Sequence, residues 1–328
     1  MLTFDRQVNV TAGGNPEPVS IAITVYTPKD DDSRSDIIYF CIPGGGLSRH
    51  YFNLLTPDGQ AHHSFARAAT ARGATVVTID SAGTGESGAP EDAFTLSPER
   101  IAAYNTAALK QILTEAYAGA LHPAMSAISR AATVIGLGHS IGALFLTLQQ
   151  ANHGQFNALA LLGFSQVGMP HALPEGAQSL LGDPAARHKI ENLARKTYDT
   201  PWLELPKGQG AGEIYGRGAA PDAMAGLKSC GTNLLATASL AVLIPGLYAP
   251  EFEQITVHLL SALGDRDICG TERDIATSFP NACSHEIHSL PETGHTHFVF
   301  ASAPSLFEKL LSWGSATADA LCRSDMQR

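Results

Sequence analysis

The residues most able to do chemistry in this sequence are the pentapeptide Gly138-His139-Ser140-Ile141-Gly142. An apolar run over residues 132–137 precedes it, and an apolar run with helical periodicity over residues 141–150 follows it. A buried strand that passes directly into a helix needs a very sharp turn, and a glycine two residues before and after the serine gives that turn room. Such a turn exposes the Ser140 hydroxyl beside a helix N-terminus, where negative charge on a reacting oxygen is stabilised. The pattern therefore predicts a nucleophilic serine.

A serine nucleophile needs a base to take its proton, and the base needs a group that holds its tautomer. In its strand–turn–helix setting, the G-x-S-x-G pattern resembles the nucleophile elbow of the α/β-hydrolase family, and the resemblance extends over nearly the whole chain. That family orders its residues as serine, acid and histidine. Here Gly264–Asp267 resembles the acid turn, and Thr293–His297 contains the family's Gly-His pair. The resemblance implies Ser140 as the nucleophile, His295 as the general base and acid, and Asp267 as the carboxylate that orients His295.

Two alternatives to these partners stay open in the sequence. His297 could be the base, although the family places the catalytic histidine directly after the glycine, which is Gly294 here. Asp265 could replace Asp267, and either aspartate could instead cap the following helix. Some relatives carry the acid after the preceding strand, where this chain has Gly163-Phe164-Ser165-Gln166. The lack of a carboxylate in that tetrapeptide favours Asp267.

The oxyanion formed during acyl transfer needs two N–H donors about 2.7–3.1 Å away. One would come from Ile141, the residue after the nucleophile. The other should follow the third strand, where residues 43–47 read Pro-Gly-Gly-Gly-Leu. The family more often has His-Gly at this point, so the proline is a departure. Alignment of Pro-Gly on His-Gly predicts Gly45 as the second donor, with Gly44 and Gly46 as alternates.

A glycine-rich segment near the N-terminal third needs separate treatment. Residues 83–88 match G-x-G-x-x-G after a predicted strand, but a dinucleotide site requires a helix that opens within the motif. The next predicted helix begins only at Pro98. The segment Asp80–Ser87 resembles the D-x-x-G-x-G-x-S loop of α/β-hydrolases, whose role is mainly structural. We therefore expect no nucleotide cofactor, nor any other.

The histidines outside the catalytic motifs do not form a metal-binding pattern in the sequence. His285 and His288 lie in a predicted strand, where their side chains would point to opposite faces. The pair His62-His63 is expected on a helix surface, and His139 beside the elbow is expected to be a packed neighbour. No metal site is predicted.

The remaining pattern predicts the elements that position these residues. A β-hairpin is expected from residues 2–10 and 19–26, with its turn across Gly13-Gly14-Asn15-Pro16. Alternating strands and helices with short loops then imply a parallel sheet covered on both faces, which agrees with the mostly parallel, eight-stranded sheet that the family resemblance implies. Further strands are predicted at residues 37–42, 75–79, 132–137, 158–163, 255–260 and 286–290, and helices at residues 60–72, 98–120, 141–150 and 303–313.

The alternation of strands and helices stops between about residues 165 and 250. Ligands of open α/β folds bind at the carboxyl edge of the sheet, so residues 166–251 are interpreted as a cap, inserted into a core of residues 1–165 and 252–328. Arg49, Tyr51 and Trp202 are expected to face the substrate. Further cap residues that would line an acyl or ring pocket, or else form the cap's own core, are Tyr215, Leu234, Leu235, Leu240 and Leu243.

The amino-acid composition limits the classes of partner that this protein is expected to bind. The 328 residues carry a formal net charge of −10, which argues against nucleic acid or an anionic membrane as the main partner. The longest apolar stretch, residues 234–247, is too short to span a bilayer. No signal peptide is recognised, and five widely spaced cysteines suit reduced thiols, so a cytoplasmic location is expected. The sequence does not indicate an oligomeric state.

The predicted activity is hydrolysis of a carboxylic ester or lactone through an acyl-enzyme on Ser140. The apolar cap favours a medium-sized hydrophobic small molecule. Thioester, amide and carbon–carbon bond hydrolysis use the same residues and stay open as alternatives. An alternative of another class is a ligand-binding or signalling protein that keeps the fold with little turnover.

Overall fold

The computed structural model describes residues 1–12, 15–204 and 218–325. Within these residues the strands are β1 (Leu2–Ala12), β2 (Asn15–Thr27), β3 (Ile37–Ile42), β4 (Thr75–Ile79), β5 (Thr133–His139), β6 (Ala158–Leu162), β7 (Trp202–Leu203), β8 (Leu234–Leu235), β9 (His258–Gly264) and β10 (Ser284–Leu290). The α-helices in the same part of the chain are α1 (Phe65–Ala71), α2 (Pro98–Tyr117), α3 (Ile141–His153), α4 (Ala186–Thr197), α5 (Pro221–Lys228), α6 (Ala236–Leu243), α7 (Ala249–Phe252), α8 (Glu272–Ser278) and α9 (Ala303–Asp325).

Eight of these strands form one sheet in the order β1-β2-β4-β3-β5-β6-β9-β10. From β4 onward in this order every neighbouring pair is parallel, whereas β1–β2 and β2–β4 are antiparallel. The central strands β3 and β6 are continuous apolar runs because both of their faces are covered. This sheet confirms the predicted mostly parallel, eight-stranded α/β fold.

The predicted N-terminal hairpin is present as β1 and β2, with Val8 opposite Ile21. Exposed residues alternate with partly or fully buried ones along β1, as expected for an edge strand that packs only one face. Of the predicted turn residues, Gly13 and Gly14 lie outside the described residues, whereas Asn15 and Pro16 already belong to β2, so the strand begins earlier than predicted.

Helices cover both faces of the sheet, as residue alternation within β3 shows. Phe40 packs in the apolar cluster that contains buried residues of α2 and α3. Its neighbours Tyr39 and Cys41 point the other way, into a cluster with α1 and α9. The two layers hold the carboxyl ends of β5, β9 and β10 at one edge of the sheet, and the loops with the predicted catalytic residues leave from that edge.

The helix start before α1 differs from the prediction. Ser64 caps this helix by accepting the N–H of Arg67 at 3.1 Å, so the helix begins at Phe65 instead of residue 60. A side chain that accepts a backbone N–H of the first helical turn in this way fixes the residue at which the helix begins. His62 and His63 therefore lie in the turn before the helix, and the expected helix-surface pair is wrong.

The segment between β6 and β9 contains short helices and the two-stranded β7–β8 ladder. Its helix α6 packs against both α3, which follows the predicted nucleophile, and α4. A bridge between Leu47 and Gly231 joins the segment to the glycine loop after β3. These contacts place the segment beside the edge of the sheet where Ser140 lies.

Candidate active site

Ser140 occupies the sharp turn between β5 and α3 with φ 53° and ψ −125°. A non-glycine residue with positive φ is rare, and it persists only where the surrounding structure holds it there. A Cβ on Gly142 would stand 2.3 Å from the carbonyl oxygen of Ile42, and one on Gly138 would stand 2.6 Å from the Cα of Ala143. Both glycines are therefore required by close backbone approach, which is the reason predicted from the sequence.

Two hydrogen bonds join Ser140, His295 and Asp267 in the predicted order. The Nε2 atom of His295 lies 2.8 Å from the Ser140 Oγ, and its Nδ1 lies 2.7 Å from Oδ1 of Asp267. Because a carboxylate only accepts, the Nδ1–H of His295 donates to Asp267. The Nε2 atom is then free to accept the serine proton. This is the arrangement that general-base activation of a serine requires.

The Asp267 side chain is fully buried and accepts hydrogen bonds at both oxygens. Oδ1 also accepts the backbone N–H of Ile268 at 2.7 Å, and Oδ2 faces Nε2 of His297 at 2.6 Å. Burial by itself would raise the pKa of this carboxyl, but the two histidines outweigh burial and hold the pKa well below its usual range. Asp267 is therefore an anion at neutral pH, shared between two imidazoles.

His297 takes the side of Asp267 that His295 leaves free. Its ring is buried, its Nε2–H donates to Oδ2, and its Nδ1 has no hydrogen-bond partner among the described residues. The structure thus brings His297 to the carboxylate, and Ser140 contacts His295 instead. The sequence considered His297 only as an alternative base, and nothing in its spacing indicated a contact with the acid.

Asp265 lies in the same turn and makes different contacts. Its two oxygens accept the backbone N–H groups of Glu292 and Thr293 at 2.9 and 3.0 Å. These bonds, that of Glu292 foremost, lower the pKa of Asp265. Asp265 thereby braces the loop that leads to His295, without touching the histidine itself.

His139 packs beneath the candidate catalytic histidine. Its Nε2–H donates to the His295 carbonyl oxygen at 2.8 Å, and its ring lies 4.9 Å from the His295 ring, centroid to centroid. Burial, and then the neighbouring His295 and His297, hold the pKa of His139 well below its usual range. It is a neutral support for the loop, as the sequence predicted for a packed neighbour.

A pH-dependent stability follows from the neutral state of His139. The unfolded chain binds a proton there below about pH 6.5 while the folded protein does not, so acidification lowers the free energy of unfolding by up to about 1.4 kcal/mol per pH unit. Urea titrations from about pH 7 to about pH 5 should give a smaller slope for His139→Gln than for the wild type. The exposed His153→Gln is the matched control, and equal slopes in both variants would contradict the assignment.

The glycine loop after β3 faces the nucleophile. Gly44, Gly45 and Ile141 line the same cavity as Ser140, whereas Gly46 has φ 73° and lines a smaller cavity beside it. The backbone N–H groups of Gly44 and Gly45 donate to no other described residue. This arrangement suits an oxyanion site that uses Ile141 and Gly45, with Gly44 as the closer alternate.

A cavity of about 400 Å³ opens beside Ser140 and His295. Its far walls come from the segment between β6 and β9, and they are mostly apolar. No periodic pattern in this segment marked these positions, so sequence reasoning missed most of them. The walls supplied by this segment are Met169, His171, Ala172, Tyr198, Leu203, Glu204, Leu234, Ser239, Val242 and Leu243.

Three residues expected at the substrate lie elsewhere, which corrects the prediction. Arg49 is 2% exposed, and its Nη1 donates to Oδ2 of the fully buried Asp80 at 2.5 Å. Tyr51 is fully buried and stacks on Phe298 at 4.7 Å. Trp202 is 37% exposed, and its indole N–H donates to a backbone carbonyl. None of the three is among the described residues that line the cavity.

The cap residues fall into separate groups. Leu234 and Leu243 line the cavity, whereas Leu235 and Leu240 are buried in the apolar core beside it. Tyr215 lies outside the described residues. Apolar type alone could not separate wall positions from core positions, because both need the same side chains.

The Arg49–Asp80 pair has a structural consequence. Asp80 also accepts the backbone N–H groups of Arg49 and Glu86, so the loop after β4 is built around its carboxylate, as the family resemblance implied. Replacing Arg49 by methionine leaves a buried, unpaired charge and should lower the free energy of unfolding by about 3–5 kcal/mol. Urea unfolding measures the loss, with the exposed Arg195→Met as a control, and a change below about 1 kcal/mol would argue against it.

The family of the chain follows from comparison with known proteins. The model described as "Alpha/beta hydrolase family" matches residues 39–310. The chain therefore belongs to the α/β hydrolase family. No curated protein matches the sequence.

Solved structures with the same fold share little sequence with this chain. An esterase from Thermogutta terrifontis superposes with a TM-score of 0.61 at 12% identity, covering 95% of this chain and 99% of that one. A thioesterase domain from the curacin biosynthetic pathway gives 0.58 at 15% identity, with coverage of 94% and 99%. The N-formylmaleamic acid deformylase Nfo from Pseudomonas putida S16 gives 0.56 at 14%, with 92% and 98%. These likenesses show the fold.

The helices of the described residues are those of a protein without a recognisable membrane-spanning helix in that part of the chain. None of them is both long and apolar enough to cross a membrane.

Proposed function

We propose that this protein is a serine hydrolase that cleaves a carboxylic ester or lactone of a medium-sized hydrophobic substrate. The observation that carries the proposal is the pair of hydrogen bonds from Ser140 to His295 and from His295 to Asp267, at the mouth of an apolar cavity. The strained φ of Ser140 supports it, because strain of this kind concentrates at functional sites.

The reaction would run in two halves. Ser140 Oγ attacks the ester carbonyl carbon while His295 Nε2 takes its proton, and the N–H groups of Ile141 and Gly45 stabilise the oxyanion. His295 then gives that proton to the departing alkoxide as the bond from the carbonyl carbon to the alkoxide oxygen breaks. The alkoxide leaves as an alcohol, and the acyl group stays bonded to Ser140 Oγ as the acyl-enzyme. Water attacks the acyl carbon, again with His295 as base, and releases the carboxylic acid and free Ser140. Asp267 stabilises the imidazolium in both halves.

The cavity supports a medium-sized acyl or ring group. Its volume of about 400 Å³ falls in the range of sites that enclose small organic ligands, and Leu234, Val242 and Leu243 give it apolar walls. The hydroxyl of Ser239 also lies on this cavity, buried and without a hydrogen-bond partner among the described residues. A buried hydroxyl without a partner is costly, so a polar atom of the substrate is its natural partner.

Residues 166–251 act in this proposal as a cap on a core of residues 1–165 and 252–328. The support is that most cavity walls opposite the glycine loop come from this segment. The cap would then select the substrate, and the core would perform the chemistry. All five cysteines are unpaired, which supports the reducing, cytoplasmic location expected from the sequence.

A panel of p-nitrophenyl esters tests the proposal. We expect kcat/KM to peak between butyrate and octanoate, because a cavity of about 400 Å³ lined by Val242 and its neighbours has the size for a short or medium acyl chain. Val242→Phe should lower kcat/KM for octanoate and leave that for acetate nearly unchanged, so that acetate serves as the internal control. Lactones and thioesters in the same panel show which of these bonds the same catalytic residues cleave best.

The panel also separates the hydrolase from a binding protein that keeps the fold. A rate that equals the buffer background for every ester, lactone and thioester would contradict the hydrolase. Values of kcat/KM that rise steadily to palmitate would instead overturn the size of the acyl site.

A further inference from the structure

A cluster of three metal-ligating side chains lies outside the candidate active site. His62 and His63 come from the turn before α1, and Asp222 comes from the first turn of α5. Each offers one ligand atom, and these atoms all lie within 4.8 Å of one another. His62 Nε2 and Asp222 Oδ2 are 3.9 Å apart.

The His63 ring is oriented as a metal-ligating histidine usually is. Its Nδ1–H donates to the backbone carbonyl of Phe298 at 2.7 Å, and the residue is 3% exposed. A bond of this kind fixes the tautomer and leaves Nε2 with an unprotonated lone pair. His63 is therefore held in the tautomer that leaves Nε2 able to bind a metal ion.

The backbones that carry the other two ligands are fixed against each other. A Cβ on Gly226 of α5 would stand 2.2 Å from the carbonyl oxygen of Leu55, so the helix lies directly on the loop that leads to His62. The N–H of Ala220, just before α5, donates to the Val299 carbonyl at 2.8 Å. The nearness of His62 and Asp222 is thus set by main-chain packing, although both side chains are about half exposed, at 49% and 51%.

The donor set selects the ion. Two imidazole nitrogens and one carboxylate oxygen suit zinc and its transition-metal neighbours, whereas magnesium and calcium prefer oxygen ligands alone. Ligands about 2.0–2.1 Å from zinc stand about 3.3 Å apart in a tetrahedral site, so small rotations of two exposed side chains would complete three corners. Water would occupy the fourth.

From this geometry we propose that His62, His63 and Asp222 form a zinc site that joins the turn before α1 to helix α5. The sequence predicts no metal site, because it places His62 and His63 on a helix surface and contains no pattern that joins them to Asp222, about 160 residues further along the chain. The fold supplies the third ligand.

The site is coupled to the candidate active site through backbone hydrogen bonds. The Nδ1–H of His63 donates to the carbonyl of Phe298, and the backbone N–H of Ala220, just before α5, donates to the carbonyl of Val299. Phe298 and Val299 directly follow His297 in the short helix after His295. A bound ion would therefore stabilise the loop that carries His295, without any part in the chemistry.

Zinc binding to the full chain tests the proposal. After treatment with EDTA and dialysis, the wild type should bind one equivalent of Zn²⁺ in a calorimetric titration, and its Tm should rise with zinc by mass action. Mg²⁺ should cause no rise. His62→Ala and Asp222→Ala should each weaken zinc binding by about tenfold or more, since even loss of a supporting partner costs that much.

The controls distinguish this site from scattered surface histidines. The exposed His153→Ala should keep the wild-type affinity and the wild-type rise in Tm. Because His62 and Asp222 are about half exposed, their variants should keep the wild-type circular dichroism spectrum and ester hydrolysis without zinc. Less than one equivalent bound by the wild type, or full affinity in His62→Ala and Asp222→Ala, would overturn the site. Neither result depends on whether the protein is a hydrolase.

Discussion

Replacing Ser140 by alanine should lower the rate of ester hydrolysis by about 10⁶-fold and leave the fold intact. The change removes only the hydroxyl group, and His295 then has no serine proton to take. The remaining cavity and oxyanion groups would still bind substrate, so KM should change little while kcat falls to near the background rate. The elbow itself is held by the glycines on either side, so the free energy of unfolding should stay close to that of the wild type.

Active-site labelling gives the same prediction a second measurement. A fluorophosphonate should modify the wild type at the peptide that contains Ser140, and it should not modify Ser140→Ala. The exposed Ser312→Ala on α9 is the matched control, and it should keep both full turnover and full labelling. Unchanged hydrolysis by Ser140→Ala, or labelling at another serine, would remove Ser140 from the mechanism.

The nucleophile was predictable because its signals are local. The apolar run before Ser140, the glycines beside it and the helix after it are neighbours in the chain, and steric crowding at one turn explains all of them. The positions of strands β3, β4, β5 and β6 in the sequence were predictable for a similar reason, since buried parallel strands are continuous apolar runs. The family resemblance supplied the rest, and placed Asp267 and His295 in loops that follow β9 and β10.

Contacts between segments distant in the chain were not predictable in the same way. An arginine after a glycine loop has the same sequence signature whether it faces a substrate or, like Arg49, a buried aspartate from another loop. The cavity walls, such as Met169 and Val242, come from a segment of loops and short helices without a clear period. His297 lies two residues after His295, and only the fold shows that both rings meet one carboxylate.

The choice between the two aspartates leads to the second large effect. Asp267→Asn should lower kcat by about 10⁴-fold, because an amide has one acceptor oxygen where the carboxylate accepts from two imidazoles. If the amide oxygen faces His297, the amide nitrogen faces His295 and donates to Nδ1. His295 would then carry its proton on Nε2, which is the wrong tautomer to accept the proton of Ser140. Steady-state kinetics on the best ester of the panel would measure this loss in kcat.

Asp265→Asn is the matched control, since it makes the same change two residues away. Among the described residues, its side chain accepts the backbone N–H groups of Glu292 and Thr293 and lies 4.0 Å from the Arg266 Nε, and it hydrogen-bonds to neither histidine. We expect kcat to stay near the wild-type value, with a small loss of stability from a weakened loop. A larger loss of kcat in Asp265→Asn than in Asp267→Asn would assign the role of the orienting carboxylate to Asp265. The contact of His297 with Asp267 would then be structural alone.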